Sequence, residues 1–339
     1  GDTANAYLAD GLTEEIIVRL GAVKRLEVRS RFEVRRVRTQ RNADPSVLGR
    51  TLNAAYLVSG SLSRSGQRVR LRVELFRSIG RERVWGDVFD SRSDDILDVE
   101  ETIAAAVAEA IAGQLAAADR AALSRRPTKR GDAYEAYLAA RFQWNMRTAP
   151  SLLRAADLFT RAIGIDSGFA AAWAGLADAY VMIINPQVGV PGANRDSILP
   201  LAEASARRAL ALDSLSGEAW TSSGRIHEMR FRWDAARDAF SRGIRLSPRN
   251  PTAHLWYAIL VLQRGRRAEA IRSLKVALEL DPTSVITVLV LAGAYDAAEQ
   301  WDEARSSYQQ AENLAPDYHL VHSTAMLHDL LRGDDMGAA

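Results

Sequence analysis

The 339-residue chain contains no cysteine. That excludes a disulfide framework, a thiolate nucleophile, a Cys-based zinc site and an iron–sulfur cluster. Lysine is almost missing as well: Lys24, Lys129 and Lys275 stand against 41 arginines, a composition expected of a GC-rich bacterial genome. Neither sign of charge dominates, with 44 basic and 42 acidic residues. No run approaches the ~20 apolar residues that a membrane-spanning helix needs. The charge-free run Val285–Tyr295 is far too short. Gly1–Asp10 lacks the basic end and apolar core of a signal peptide. With no initiator Met, the chain is expected to be a processed form or an excised piece. Walker A, dinucleotide-fingerprint, kinase and Gly-x-Ser-x-Gly motifs are all absent. Gly60-Ser61 reads as strand interior. The chain is therefore expected not to be an enzyme, with no catalytic residue, no metal and no cofactor.

What is present is globular material, 47% apolar and 25% charged. Its length suits about two domains. It also repeats. Ala236, Ala270 and Ala304 are 34 residues apart, as are Pro248, Pro282 and Pro316. Phe240, Leu274 and Tyr308 keep the same step, and so do Gly243, Ala277 and Ala311. Four position classes in one phase predict three copies of a helical hairpin. Small residues fall where the paired helices must touch: Gly224 with Ala236, Ala258 with Ala270, Ala292 with Ala304. A larger side chain there would push the axes beyond roughly 8–10 Å. Proline ends each second helix, because it lacks an N–H and disfavours helix in the preceding residue.

The 34-residue register of Trp220–Pro248, His254–Pro282 and Val288–Pro316 resembles the tetratricopeptide repeat. Two looser units lie upstream. One holds Trp173, Leu176, Ala177 and Tyr180, then Ala202, Ala206, Ala209 and Ser214, around a loop at Asn185–Asn194. The other holds Tyr137, Ala140, Ala155, Phe159 and Ala162, with its turn at Arg147–Pro150. Asp317–Leu331 reads as a capping helix, which solenoid ends require. The expected solenoid is five repeats plus a cap over residues 132–332, with a short tail at 333–339.

Residues 1–123 follow other rules. Tyr7–Leu20 has helical periodicity, Leu26–Ser30 reads as a short strand, and Pro45–Leu52 as a helix opened by proline. A meander follows: Ala55–Arg64, a turn at Ser65–Gly66, Gln67–Phe76, then Arg83–Phe89. In the middle strand Val69, Leu71, Val73 and Leu75 alternate with Arg68, Arg70, Arg72 and Glu74, which gives one dry and one wet face. Asp94–Leu123 reads as one long Ala-rich helix, and 124–131 as a basic linker. The expected fold class is an α/β N-terminal domain, a small mixed sheet with an antiparallel meander, joined to an all-α solenoid. Residues 1–130 hold 23 basic and 18 acidic residues, and 131–339 hold 21 and 24. The neutral total thus joins a basic half to a mildly acidic one.

Ala9–Ile16, Leu26–Ser30, Tyr56–Arg64, Val69–Arg72, Val84-Trp85, Phe89-Asp90 and Asp95-Ile96 together resemble the TolB-amino-terminal-like α/β domain. In that family the domain precedes tetratricopeptide repeats in bacterial adenylate cyclases, serine/threonine kinases and winged-helix transcription regulators. The family's first strand, an apolar run that would lie upstream of Gly1, is missing here.

Three groups are candidates for function. His319 and His322 are three apart on the cap, with His328 about two turns on; lacking a third ligand on their face, they read as a solvated or half-buried surface. Lys24, Arg25, Arg29, Arg31, Arg35, Arg36, Arg38 and Arg41 form a basic run with Glu27 and Glu33. Solvated charge is its plainer reading; an acidic or lipid partner, then nucleic acid, are the functional ones. The third group follows from the repeat resemblance, which places inward positions at Thr221, Arg225, Leu255, Ile259, Leu262, Leu289 and Leu327, and also at Asp296. The Lys and Asn clamp of chaperone-binding members is replaced by Thr221, Leu255 and Leu289. The expected partner is a protein, bound as an amphipathic helix or apolar peptide, or subunits of a larger membrane complex; the equal alternative is a groove filled by the solenoid's own side chains or by the first domain. Nucleic acid and small molecules are not expected partners, and membrane contact would come only through missing segments or a partner. The resulting expectation is an interaction or scaffolding module. Its setting is either the periplasmic side of a bacterial inner membrane, in a membrane-associated or assembly protein, with the cytoplasm as the alternative location, or the regulatory region of a signalling enzyme or transcription regulator.

Overall fold

The computed structural model describes residues 6–21, 23, 25–29, 33–34, 44–92, 95–124, 126–185 and 189–332, without the side chains of 319, 327 and 329–332. The chain divides into two compact units, Gly1–Ser214 and Leu215–Ala339.

The first unit opens with α1 (Ala6–Gly21), which buries Leu8, Leu12 and Leu20. Helix α2 (Pro45–Leu52) starts on the Asp44 carboxylate, which accepts from the Ser46 N–H, and carries proline in its first turn. The strands β1 (Tyr56–Ser65), β2 (Arg68–Arg77) and β3 (Arg83–Arg92) form an antiparallel sheet in sequence order. The β1–β2 register runs from Tyr56 opposite Arg77 to Ser65 opposite Arg68. Their turn is Gly66–Gln67, one residue later than the sequence suggests, because Gly66 takes the left-handed position (φ 58°). As the alternation predicts, Val69, Leu71, Val73 and Leu75 are buried, while Arg68, Arg70 and Arg72 are exposed.

Two expectations fail here. Leu26–Arg29 forms no strand, and Ser30 lies outside the described residues. Arg29 is tied down by its side chain, donating to the Asn53 carbonyl and pairing with Glu27 and Glu33, rather than by a ladder. Among the described residues the sheet is thus antiparallel, not mixed. Asp94–Leu123 is not one helix either. Helix α3 (Ile96–Ala112) stops at Gly113, whose φ of 71° leaves helical space, and α4 (Ala117–Leu123) is separate.

The helical hairpins α5 (Gly131–Met146) with α6 (Ala149–Ile165), and α7 (Ala170–Ile183) with α8 (Arg195–Leu212), complete this unit. Arg147 takes the left-handed conformation at the first turn, and Thr148 with Ser151 forms a capping box on α6. Gly175 is required where it stands: a Cβ there would lie 2.4 Å from the Phe159 ring. Helix α1 packs on α5 closely enough that a Cβ on Gly11 would meet Leu138 at 2.8 Å. Tyr7 and Arg64 both donate to Glu135, at 2.5 and 2.6 Å, and Arg141 pairs with Glu14. Burial and the Glu135 carboxylate push the Tyr7 hydroxyl up to about 12. These ties bind the α/β part to α5 of the first helical hairpin.

Beneath this contact, Glu100 is fully buried and accepts from the Tyr134 hydroxyl at 2.6 Å. Arg19, also buried, lies 3.8 Å away and donates to the Leu123 carbonyl. Burial, reinforced by the charge of Glu15, raises the Glu100 carboxyl well above its ordinary range, against the opposing pull of Tyr134 and Arg19. A raised carboxyl favours the protonated fold. Its stabilisation is complete below the unfolded value and is lost as pH rises through the folded one. Glu100→Gln should therefore gain stability over the parent as pH is raised from about 5 to about 8; denaturant melts at both pH values check this, and a difference independent of pH would refute it.

Candidate partner-binding face

The second unit contains three hairpins and a final helix. These are α9 (Gly217–Met229) with α10 (Trp233–Leu246), α11 (Pro251–Gln263) with α12 (Arg267–Leu280), α13 (Val285–Ala297) with α14 (Trp301–Leu314), and α15 (His319–Arg332). Each hairpin is punctuated by the same local chemistry. Ser216, Asn250 and Ser284, 34 residues apart, accept from backbone N–H groups at the starts of α9, α11 and α13. Phe231, Gly265 and Glu299, again at that step, take the left-handed conformation just after those helices (φ 60°, 73° and 59°). In each, two backbone bonds close the end, as in Arg232 N–H to His227 and Phe231 N–H to Glu228. This is the Schellman arrangement, in which glycine is the favoured residue.

The predicted helix contacts hold. Gly224, Ala236, Ala258, Ala270, Ala292 and Ala304 are all buried. A Cβ on Gly224 would sit 2.6 Å from the Phe240 ring. Phe240, Leu274 and Tyr308 fill the space beside these positions and are buried too.

The expected groove residues fare unevenly. Leu255, Ile259 and Leu262 are half-buried on α11. Arg225 is held to Glu228 at 2.6 Å. Thr221 does not present itself to a partner. It is buried, donates to the Gly217 carbonyl, and stands where a Cβ on Gly243 of α10 would meet its hydroxyl at 2.7 Å. Leu289, only 8% exposed, belongs to the core with Val288, Tyr295 and Val321 of α15. The Leu327 side chain lies outside the described residues. Of the expected groove residues, the partly open apolar ones are therefore Leu255, Ile259 and Leu262, a stripe on α11.

Asp296, expected to line the groove, is buried instead. It accepts from the Tyr308 hydroxyl at 2.8 Å and bonds His328 Nδ1 at 2.6 Å. Burial, then the Asp296 contact, raises the Tyr308 hydroxyl above its usual range. His328 is 2% exposed and packs against the Trp301 and Tyr308 rings, which corrects its reading as a solvated or half-buried surface. His322 bonds the Pro316 carbonyl. Among the described residues no three potential ligands gather as a metal site. Sequence reasoning missed this network because Asp296 and His328 lie 32 residues apart. The only sequence cue was polar residues on otherwise apolar helix faces.

In the first unit, Arg25 of the basic run donates to the Gln114 carbonyl, and Arg29 is engaged as described above. Lys24, Arg31, Arg35, Arg36, Arg38 and Arg41 lie outside the described residues.

Sequence profiles of the tetratricopeptide repeat match residues 199–251, 230–285 and 261–325. With the hairpin geometry, this shows residues 199–325 as tetratricopeptide repeats, a protein-interaction scaffold. The chain is similar to putative adenylate cyclase 3 of Rhizobium meliloti (strain 1021), 28% identical over 204 residues, 60% of this chain and 35% of that protein. It is also similar to the transcriptional regulator HilA of Salmonella typhimurium, 26% identical over 186 residues, 53% of this chain and 33% of that protein. The chain thus spans about a third of the length of these curated relatives. Among solved structures it is similar to TTC0263, a thermophilic TPR protein in Thermus thermophilus, with TM-score 0.48 and 18% identity over 58% of this chain and 99% of the other. PilW, a type IV pilus biogenesis factor, gives TM-score 0.48 and 16% identity over 60% and 86%.

Two stability effects follow. Asp296→Ala leaves His328 and Tyr308 buried with a lost partner. It should destabilise the second unit by about 1–3 kcal/mol, with faster amide exchange along α15; unchanged exchange there would remove the network's role. Phe231→Gly places the favoured residue in the left-handed position. It should stabilise by up to about 1 kcal/mol, read as a raised denaturant midpoint.

Proposed function

We propose that this chain is the protein-docking, regulatory region of a larger bacterial signalling protein. The observation that carries the reading is the half-buried Leu255–Ile259–Leu262 stripe on α11, within residues that match the repeat profiles. Apolar side chains left incompletely covered on a repeat scaffold favour docking of an amphipathic helix or apolar peptide. Of the settings the sequence suggests, the signalling one has the support of the curated relatives, an adenylate cyclase and a transcription regulator. The α/β part is read as the TolB-amino-terminal-like domain that its sequence resembles, placed ahead of the repeats as in such regulators.

The test uses Leu255→Glu/Ile259→Glu. Both side chains are half-buried, whereas Leu289 is core and its replacement would confound folding with binding. Purified chain, cross-linked in extract of the source bacterium, should recover a discrete partner. The double variant, verified as folded by its thermal melt, should lose at least about tenfold of that recovery, as expected when two central contacts of an interface are removed. Equal recovery by the folded variant would remove the α11 stripe from function.

A further inference from the structure

The hairpin turns of the second unit carry a feature that groove binding does not use. Phe231, Gly265 and Glu299 occupy one repeated position, so the three turns follow one another along one edge of the stacked hairpins. The charge of that edge changes sign. The first two turns bring Arg230, Arg232, Arg264, Arg266 and Arg267 together, against Asp234 and Glu269. Glu269 is already held by Arg266 at 2.6 Å. The third turn carries Glu299, Asp302 and Glu303, with no basic residue between them. Arg264, Arg267 and these three carboxylates are exposed and make no ion pair among the described residues.

Within the basic stretch Phe231 is 69% exposed, in a backbone conformation that suits glycine. Exposure and strain together are a poor solution for stability alone. Its ring stands edge-on to Trp233 at 5.7 Å, and the Arg264 guanidinium lies 5.9 Å over Trp233. Aromatic and arginine side chains of this kind carry most of the binding energy in protein interfaces. The surrounding charge selects an acidic partner. A membrane surface or a nucleic-acid strand is negative along its whole length and would be repelled by the third turn. A partner whose own charge alternates is not, and the chain itself supplies such a surface on the same edge.

We propose that this edge is a self-association surface, on which the basic Phe231–Arg267 turns of one copy dock the acidic Glu299–Glu303 turn of a second copy. Phe231 gives the contact its apolar centre, and Arg264 and Arg267 pair with the carboxylates. The two patches are unlike, so each copy offers one of each sign to a neighbour. The proposal stands apart from the α11 stripe, and its outcome leaves that reading untouched.

The full chain is tested by sedimentation across a concentration series at low salt. It should associate, and raising salt from about 50 to about 500 mM should weaken the association by about tenfold or more. Phe231→Ser should weaken it about tenfold, the effect of one interface anchor. Arg264→Glu/Arg267→Glu and Glu299→Arg/Glu303→Arg change exposed positions only, and each alone should stay monomeric. Mixed, the two variants present opposite charge to each other, and association should return. A parent chain that is monomeric throughout overturns the proposal. So does a mixture that fails to associate, or a monomer that instead binds phosphatidylglycerol vesicles or a single-stranded oligonucleotide in a manner lost in Arg264→Glu/Arg267→Glu.

Discussion

The structure depends on how closely the two helices of each hairpin approach. A Cβ on Gly224 would fall 2.6 Å from the Phe240 ring of the same hairpin, and between successive hairpins one on Gly175 of α7 would fall 2.4 Å from Phe159 of α6. Alanine takes the equivalent place at Ala258 and Ala292, fully buried. The large side chain from the second helix fills the space that the small residue leaves, at interior packing density. Once that face of the first helix is spent on its partner, its remaining faces are assigned. One turns toward the next hairpin and one remains over. The caps at Ser216, Asn250 and Ser284 and the left-handed residues at Phe231, Gly265 and Glu299 set the helix limits that keep this assignment in phase.

Buried polar groups specify which helix docks where. In the first unit Glu100, Tyr134 and Arg19 lie at the junction of α3, α5 and α1. In the second, Asp296 joins Tyr308 of α14 to His328 of α15. Apolar surface alone would let a terminal helix slide or rotate. At Asp296 a buried carboxylate with two directed partners accepts one arrangement and penalises the rest, because an unpaired polar group in the interior is expensive. The cap is thereby fixed in place, with Val321 of α15 in the same buried core as Leu289.

The two proposed surfaces follow from this division of faces. The stripe on α11 stays half-open because its neighbours cover it only in part. The turn edge stays open because turns project beyond the packed helices, and there charge rather than apolar area sets the choice of partner. The proposed peptide site and the proposed self-association edge thus use different parts of the repeat scaffold.

The 34-residue step, the small-residue slots, the cap positions and the alternating β2 face were all legible in the residue order. Each depends on sterics or periodicity that a short segment carries itself, and repetition reinforced it three times over. Leu26–Arg29 misled because apolar alternation over so few residues does not ensure a ladder partner. The Ala-rich stretch misled because Gly113 breaks a helix only when its backbone takes a positive φ. The site was read less well than the fold. Thr221 and Leu289 occupy positions that face inward in the repeat family, yet one packs on α10 and the other is covered by core that includes α15. Whether a residue at a given helical position is open depends on what lies over it, and that neighbour comes from another part of the chain. The sequence by itself determined the helical hairpins, their spacing and the dry face of the sheet. Only the tertiary structure decided that Asp296 and His328 meet, that α11 keeps an apolar stripe partly uncovered, and that turns of opposite charge share an edge, because each is a relation between segments brought together by packing.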